Sequence, residues 1–280
     1  MAAPRPQVTV PVAWRRLPRL RLPRRASGFL GGLAIFVGFV LLADALVTAV
    51  WEDPLTAIFT QQEQRALGKK LAAVEGAPLP ATTLELVRRA GSESDRMALL
   101  GAHLRGTTRS GDPLGRISIP RAHTRFVFVS GTGVESLKKG PGHYMGSGLP
   151  GERATVAIAG HRTTYAAPFR RLDRLRRGNP IIVTMSYGKF VYRVQGSRSV
   201  PPTKTSVLRN VPYERLVLTT CTPLGSAQKR LVVTARLEHA EARGPAIKLL
   251  PIPPKPPRWQ VQGPNTRSPF ERLAPTTPAR

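Results

Sequence analysis

Leu216-Val217-Leu218-Thr219-Thr220-Cys221-Thr222-Pro223 is the stretch on which the reading of this chain turns. An apolar, β-branched run ends in the only cysteine of the 280 residues, and a proline two residues later stops it. Such a run, closed by proline, predicts a β-strand with one thiol at its end, at the mouth of a loop. Nine residues on, Arg230 opens a second apolar run, Leu231-Val232-Val233-Thr234-Ala235. The intervening loop, Thr222–Lys229, is short enough for a hairpin, which would bring Cys221 and Arg230 together. Sixty residues upstream, His161 follows a third run, Ala154-Thr155-Val156-Ala157-Ile158-Ala159-Gly160. A thiol, an imidazole and a guanidinium, each at a strand end, supply a nucleophile, a proton handler and an anion stabiliser.

The same short-strand pattern extends from about Leu114 to His239. Arg116–Pro120, Phe126–Ser130, Ala154–Gly160, Ile181–Ser186, Phe190–Ser199, Arg215–Cys221 and Arg230–Glu238 are rich in Val, Ile, Thr and Phe and bounded by Gly and Pro. Ser186-Tyr187-Gly188-Lys189 reads as a hairpin turn, and Val134–Lys139 and Pro168–Leu175 as helical turns. Seven or eight short strands in roughly 125 residues predict a mainly β domain, a small barrel or sandwich, over 113–240.

Upstream the character changes three times. Residues 1–27 carry seven arginines and no acid, with prolines that oppose a helix. Gly28 to Trp51 is apolar over about the roughly 20 residues that a helix needs to cross a bilayer. The flanking arginines predict a cytoplasmic N-terminus and an extracytoplasmic remainder. The run is too long for an ordinary signal-peptide core, and no clean small-x-small site follows it, so an uncleaved anchor in the membrane is expected. Asp44 interrupts it, and Thr48 and Trp51 put that carboxyl near the outer interface. Residues 52–112 read as a polar, partly helical stalk. Pro54–Leu71 has helical spacing through Leu55, Ile58 and Phe59; Thr83–Leu104 reads as one amphipathic helix. Gly76-Ala77-Pro78-Leu79-Pro80 breaks between them. Such a segment can pack on the β domain or hold it off the membrane. Residues 241–280 are Pro-rich, which opposes regular structure and predicts a disordered tail.

The formal charge of +27 raises the question of nucleic acid. No nucleic-acid-binding motif is present, and the β domain is expected outside the cytoplasm, so no nucleic-acid partner is expected. One cysteine makes neither an intramolecular disulfide nor a cysteine-based zinc site, and no histidine pair has metal-ligand spacing. No metal or other cofactor is therefore expected. Gly146-Ser147-Gly148-Leu149-Pro150-Gly151 matches G-x-G-x-x-G, but it precedes a strand and opens no helix, so it does not read as a dinucleotide loop. It belongs to a longer Gly- and Pro-rich loop, Gly131–Gly151. That loop leads into the His161 strand and carries Tyr144, a substrate-contacting candidate. His103, His123 and His239 read as solvated, while His143 is ambiguous. Cys221 itself can be an inert small hydrophobe. The alternatives are then an anchored, non-enzymatic β domain that binds anionic wall polymers, or a plain cysteine protease.

Taken together, Val217-Leu218-Thr219-Thr220-Cys221, His161 in Ala159-Gly160-His161-Arg162, and Arg230 on the next strand resemble the sortases. These are membrane-anchored cysteine transpeptidases of Gram-positive bacteria, with a T-L-x-T-C signature. Val217 departs from the first position. Leu137-Lys138-Lys139-Gly140-Pro141-Gly142-His143-Tyr144 with Ala157–His161 is most similar to the class E group of actinobacteria. The resemblance covers about 115–238 and the anchor. It implies an eight-stranded sortase barrel with short helices, with Cys221 as nucleophile, His161 as general acid and base, and Arg230 holding the substrate and its oxyanion. Thr220 would help at the same place through its backbone or side chain. The implied partners are secreted proteins with a C-terminal LPxTG- or LAxTG-like sorting signal and a peptidoglycan-precursor amine.

Overall fold

The computed structural model describes residues 31–43 and 54–244. Residues 31–43 form helix α1, in a unit separate from the rest. Its large apolar side chains, Ile35, Phe39 and Leu42 among them, are exposed. Among the described residues no helix is long and apolar enough to cross a membrane. The other residues of the expected span, Asp44 included, lie outside the described residues. So do residues 1–27 and nearly all of the Pro-rich segment.

The second unit holds helices α2 (Pro54–Gly76), α3 (Ala81–Arg89) and α4 (Glu93–Thr107), then eight strands. These are β1 (Pro113–Ile119), β2 (Thr124–Ser130), β3 (Gly142–His143), β4 (Thr155–Ala159), β5 (Pro180–Met185), β6 (Gly188–Val200), β7 (Arg215–Thr222) and β8 (Lys229–Ala242). A short helix α5 (Val134–Lys139) separates β2 from β3. The strands close into a barrel in the order β1-β2-β3-β4-β7-β8-β6-β5. The expected mainly β, eight-stranded barrel with short helices is what forms. β3 was not anticipated, because two residues inside a Gly- and Pro-rich loop are too few to show a period-2 pattern.

Burial explains the strand types. β5 alternates between half-buried and buried, as a strand with one covered face does. β4 is buried at all five positions. It runs parallel to β7 and is covered on both faces, so its sequence is a continuous run of small and apolar residues. Phe128, Ile117, Val183, Tyr192, Leu218 and Val233 fill the interior.

The helices expected as a stalk lie against the barrel. Thr56, Thr60, Gln64, Leu67, Leu71 and Glu75 recur at three- and four-residue spacing and so share one face of α2. Thr56 accepts from the Tyr165 amide at 2.8 Å. Gln64 accepts from the Val127 amide at 2.7 Å and donates to the Val127 and Lys139 carbonyls at 2.9 and 2.7 Å. Leu67 and Leu71 pack on Val127 and Val129, and Glu75 pairs with Arg116 at 2.5 Å. The apolar residues on which the helix was expected point elsewhere: Ile58 and Phe59 are 60% and 48% exposed. The single helix expected over Thr83–Leu104 is two. α3 ends at Arg89, and α4 starts afresh at Glu93, capped by Ser92, whose hydroxyl accepts from the Asp95 amide at 3.1 Å. Val87, Met97, Leu99 and Leu100 from both helices join the barrel core.

The G-x-G-x-x-G loop binds carboxylates of its own chain. The Leu149 amide donates to Glu152 at 2.7 Å, and the Gly151 and Arg153 amides donate to Glu214 at 3.1 Å. Tyr192 donates its hydroxyl to Glu214 at 2.5 Å. Burial pushes the Glu214 carboxyl up, against those donors, which pull it down. Because the folded value is raised, this group's contribution to stability is full at low pH and is lost as pH rises through the folded value. Glu214→Ala leaves two amides and a phenol buried without their acceptor. It should cost about 3 kcal/mol, read as a lower urea midpoint, and it should also flatten the pH dependence.

Candidate active site

β4, β7 and β8 are neighbours in the barrel wall. In the antiparallel β7–β8 pair, Cys221 lies directly opposite Arg230. The hairpin expected from the sequence forms, and Thr222 faces Lys229 at its mouth. In the parallel β4–β7 pair, Ala159 lies beside Thr219, and the Gly160 amide extends the ladder to the Thr219 carbonyl at 3.0 Å. His161 follows two residues past the end of β4, at the end of the barrel wall where β7 carries Cys221. Cys221 and Arg230 thus share one rung of β7 and β8, and His161 stands just beyond the end of the adjacent β4.

Side-chain alternation decides which face they share. Leu216 and Leu218 of β7, Val156 and Ile158 of β4, and Leu231 and Val233 of β8 belong to the barrel interior. Val217, Ala157 and Val232, one residue out of phase, form a separate outer cluster with Val207. Cys221 and Arg230 have the parity of that outer set. They stand at the end of a surface floored by small and β-branched residues. Tyr144, Val200 and Leu208 pack along its sides. A cleft of about 360 Å³ shares Tyr144 and Leu208 with it.

Cys221 is free and half-buried. His161 is half-buried also, with the Tyr165 ring tilted against it at 5.1 Å between centroids. Burial pushes its imidazole below the ordinary value. Its carbonyl accepts from the Phe169 amide at 3.0 Å. The Phe169 ring fills the space at Gly160, where a Cβ would come within 2.6 Å of it, so only glycine fits immediately before the histidine. Tyr165, Ala166 and Ala167 all have left-handed backbone, at φ of 53°, 56° and 40°. Such residues persist only where their surroundings hold them, and the Thr56 hydroxyl on the Tyr165 amide is one such hold. The Arg230 guanidinium donates from Nη1 to the carbonyls of Ala227 and Lys229, at 2.9 and 3.3 Å.

The remaining candidates separate. Tyr144 lies at the outer surface, and its hydroxyl is 2.9 Å from that of Thr219 on the floor. Thr220 has the opposite parity. It is buried, and its hydroxyl donates to the Gly160 carbonyl at 2.7 Å, so its side chain holds β7 to the end of β4 and does not face the outer surface. His143 is structural. Its Nε2 lies 2.9 Å from the Gly148 carbonyl and 3.0 Å from the Ser147 hydroxyl, and burial lowers it to about 4. Among the described residues, no group of three or more His, Cys, Asp or Glu side chains could hold a metal ion. One buried side chain at the site escaped sequence reasoning. Arg162, next to His161, reaches the Thr222 hydroxyl at 2.8 Å. Among 43 basic residues nothing in the sequence marks it as a buried one.

The family model for the sortase domain matches residues 117–238, which start near the end of β1 and run into β8. The chain belongs to the sortase family. It is 34% identical over 128 residues to sortase D of Bacillus subtilis, covering 44% of this chain and 63% of that one. It is 34% identical over 116 residues to sortase SrtE1 of Streptomyces coelicolor, covering 36% of this chain and 33% of the relative. The chain therefore spans less than two thirds of either relative. Among solved structures, sortase E of Streptomyces avermitilis is 34% identical, with a TM-score of 0.44, over 48% of this chain and 93% of that one. The sortase domain so matched contains His161, Cys221 and Arg230, whereas α2, α3 and α4 lie N-terminal to it.

Proposed function

We propose that this sortase is a membrane-anchored cysteine transpeptidase acting on secreted proteins with a C-terminal LPxTG- or LAxTG-like sorting signal. The observation that carries the reading is the pairing of Cys221 with Arg230 across β7 and β8, with His161 just beyond the end of β4, the strand beside β7. The Cys221 thiolate attacks the carbonyl carbon of the signal's threonine. The C–N bond to the following glycine breaks, and His161 gives its proton to the leaving amine. The resulting thioester is attacked by the amine of a peptidoglycan precursor. His161 takes the proton from that amine, the C–S bond breaks, and the thiolate returns. Arg230 holds the substrate and faces the oxyanion of both tetrahedral intermediates. Tyr144 borders the bound signal. The barrel would act outside the cell, tethered by the apolar run of residues 28–51, with residues 1–27 in the cytoplasm. Similarity around Leu137–Tyr144 and Ala157–His161 favours class E, for which alanine replaces proline in the signal.

The half-buried thiol favours this reading over an inert β domain that binds wall polymers, which needs Cys221 enclosed. The test uses the full chain in detergent with an LAxTG or an LPxTG peptide and an added amine. The expected result is a transpeptidation product and a thioacyl adduct on Cys221, with both absent in Cys221→Ala. Activity retained by Cys221→Ala, or no cleavage and no adduct in wild type, removes the proposal. Hydrolysis that added amine never diverts makes the protein a cysteine protease instead.

A further inference from the structure

The Arg162 side chain is 7% exposed. A buried guanidinium is costly unless its donors are met, and here they converge on the site. Nη1 donates to the Thr222 hydroxyl at 2.8 Å and to the Cys221 carbonyl at 3.4 Å. Nε donates to the Arg170 carbonyl at 3.4 Å, and Nη2 lies 3.4 Å from the Asp173 carboxylate. One side chain therefore joins the residue after His161, the backbone of Cys221 and the residue after it, and the Arg170–Asp173 segment. Its place in the ladder explains the need. β4 ends at Ala159. Beyond it the links to β7 are the Gly160 amide on Thr219 and the Thr220 hydroxyl on Gly160. Arg162 carries the connection further, from the residue after His161 to Cys221 and Thr222.

We infer that Arg162 is a positioning residue for the transpeptidation site: it sets the Cys221–Thr222 backbone against the His161 segment without touching substrate. The inference rests on the functional reading above, because it assigns Arg162 to that reaction. A misplacement of about 1 Å at a reacting pair can cost about 100-fold in rate, so the loss should fall on kcat.

The test compares wild type, Arg162→Gln, Arg162→Lys, Thr222→Val and the Arg162→Gln/Thr222→Val double variant, all as full chains. Arg162→Gln should lower kcat by about 10-fold or more with KM within about twofold. Arg162→Lys should recover part of that. Thr222→Val, which removes the 2.8 Å acceptor, should lower the same parameter by less, and the double variant should fall short of the product of the two effects. Hydrogen exchange supplies a readout independent of turnover. Amides of residues 219–224 should exchange faster in Arg162→Gln and Thr222→Val, while those of β5 stay protected. A kcat within twofold of wild type in both single variants overturns the inference. So does faster exchange spread evenly over the barrel with a lowered melting temperature. If Arg162→Gln does not fold, Thr222→Val decides by the same criteria. If wild type cleaves no peptide, the functional reading fails, and the local exchange pattern alone decides whether Arg162 holds the Cys221 segment.

Discussion

Replacing His161 by glutamine is expected to lower kcat/KM for a sorting peptide by about 10²–10⁴-fold, the usual worth of a positioned acid or base. Two proton movements depend on this one imidazole, delivery to the leaving amine and removal from the attacking one. The expected pH dependence follows from its surroundings. Thiol and imidazole work with one proton between them, so acid inactivates the pair by adding a second. Burial pushes His161 down, which moves that loss to lower pH. The acid limb of kcat/KM should therefore lie below about 6.5, the ordinary histidine value. Tyr165→Ala removes the ring 5.1 Å from the imidazole and lets water reach it. The limb should then move up towards the ordinary value, and in His161→Gln it should vanish. An acid limb that stays in place in His161→Gln would assign it to another group and take the proton-transfer role from His161.

The parts of the molecule that the sequence exposes are those whose physics is periodic. β7 and β8 are legible because β-branched residues run up to a proline and a short loop separates them. Parity along those strands then puts Cys221 and Arg230 on one face. The Gly160-His161 segment is legible for a similar reason, since the strand before it is apolar throughout. The packing face of α2 is not. Part of that face docks through Thr56, Thr60 and Gln64, polar side chains that bond to the backbone of the loop after β4, of α5 and of β2. The apolar pair that suggests a helix, Ile58 and Phe59, stays exposed. An amphipathic pattern reports hydrophobic burial and carries no mark of a helix seated on hydrogen bonds. Thr220 is a further example. A hydroxyl beside a thiol suggests a substrate contact, but alternation turns it inward, onto the Gly160 carbonyl. Arg162 and Glu214 are charged residues whose burial depends on partners distant in sequence, Thr222 for one and the Gly151–Arg153 turn for the other.

Arg230→Ala is expected to lower kcat by about 10²–10³-fold, the cost of removing one donor aimed at a developing oxyanion. The guanidinium starts from a defined position. Arg230 pairs with Cys221 in the β7–β8 ladder, and its Nη1 is held by the carbonyls of Ala227 and Lys229. Those two bonds fix the plane of the fork from the side of its own hairpin. The variants can therefore separate charge from geometry. Arg230→Lys keeps the positive charge on a flexible stem and gives up the planar fork. If the charge alone stabilises the oxyanion, Arg230→Lys should recover most of the activity. If the fork must be oriented by the loop carbonyls, it should recover little, and the loss should be in kcat. A change confined to KM would instead mean that Arg230 grips substrate and transition state equally. It would then be a binding residue, leaving the oxyanion to the backbone amides near Cys221. Activity within threefold of wild type in Arg230→Ala would remove it from the site altogether. The structural control is the hairpin itself: amide exchange over 223–229 should rise in both variants, because both lose the Nη1 bonds. A kinetic difference between them then reports on the charge and not on loop order.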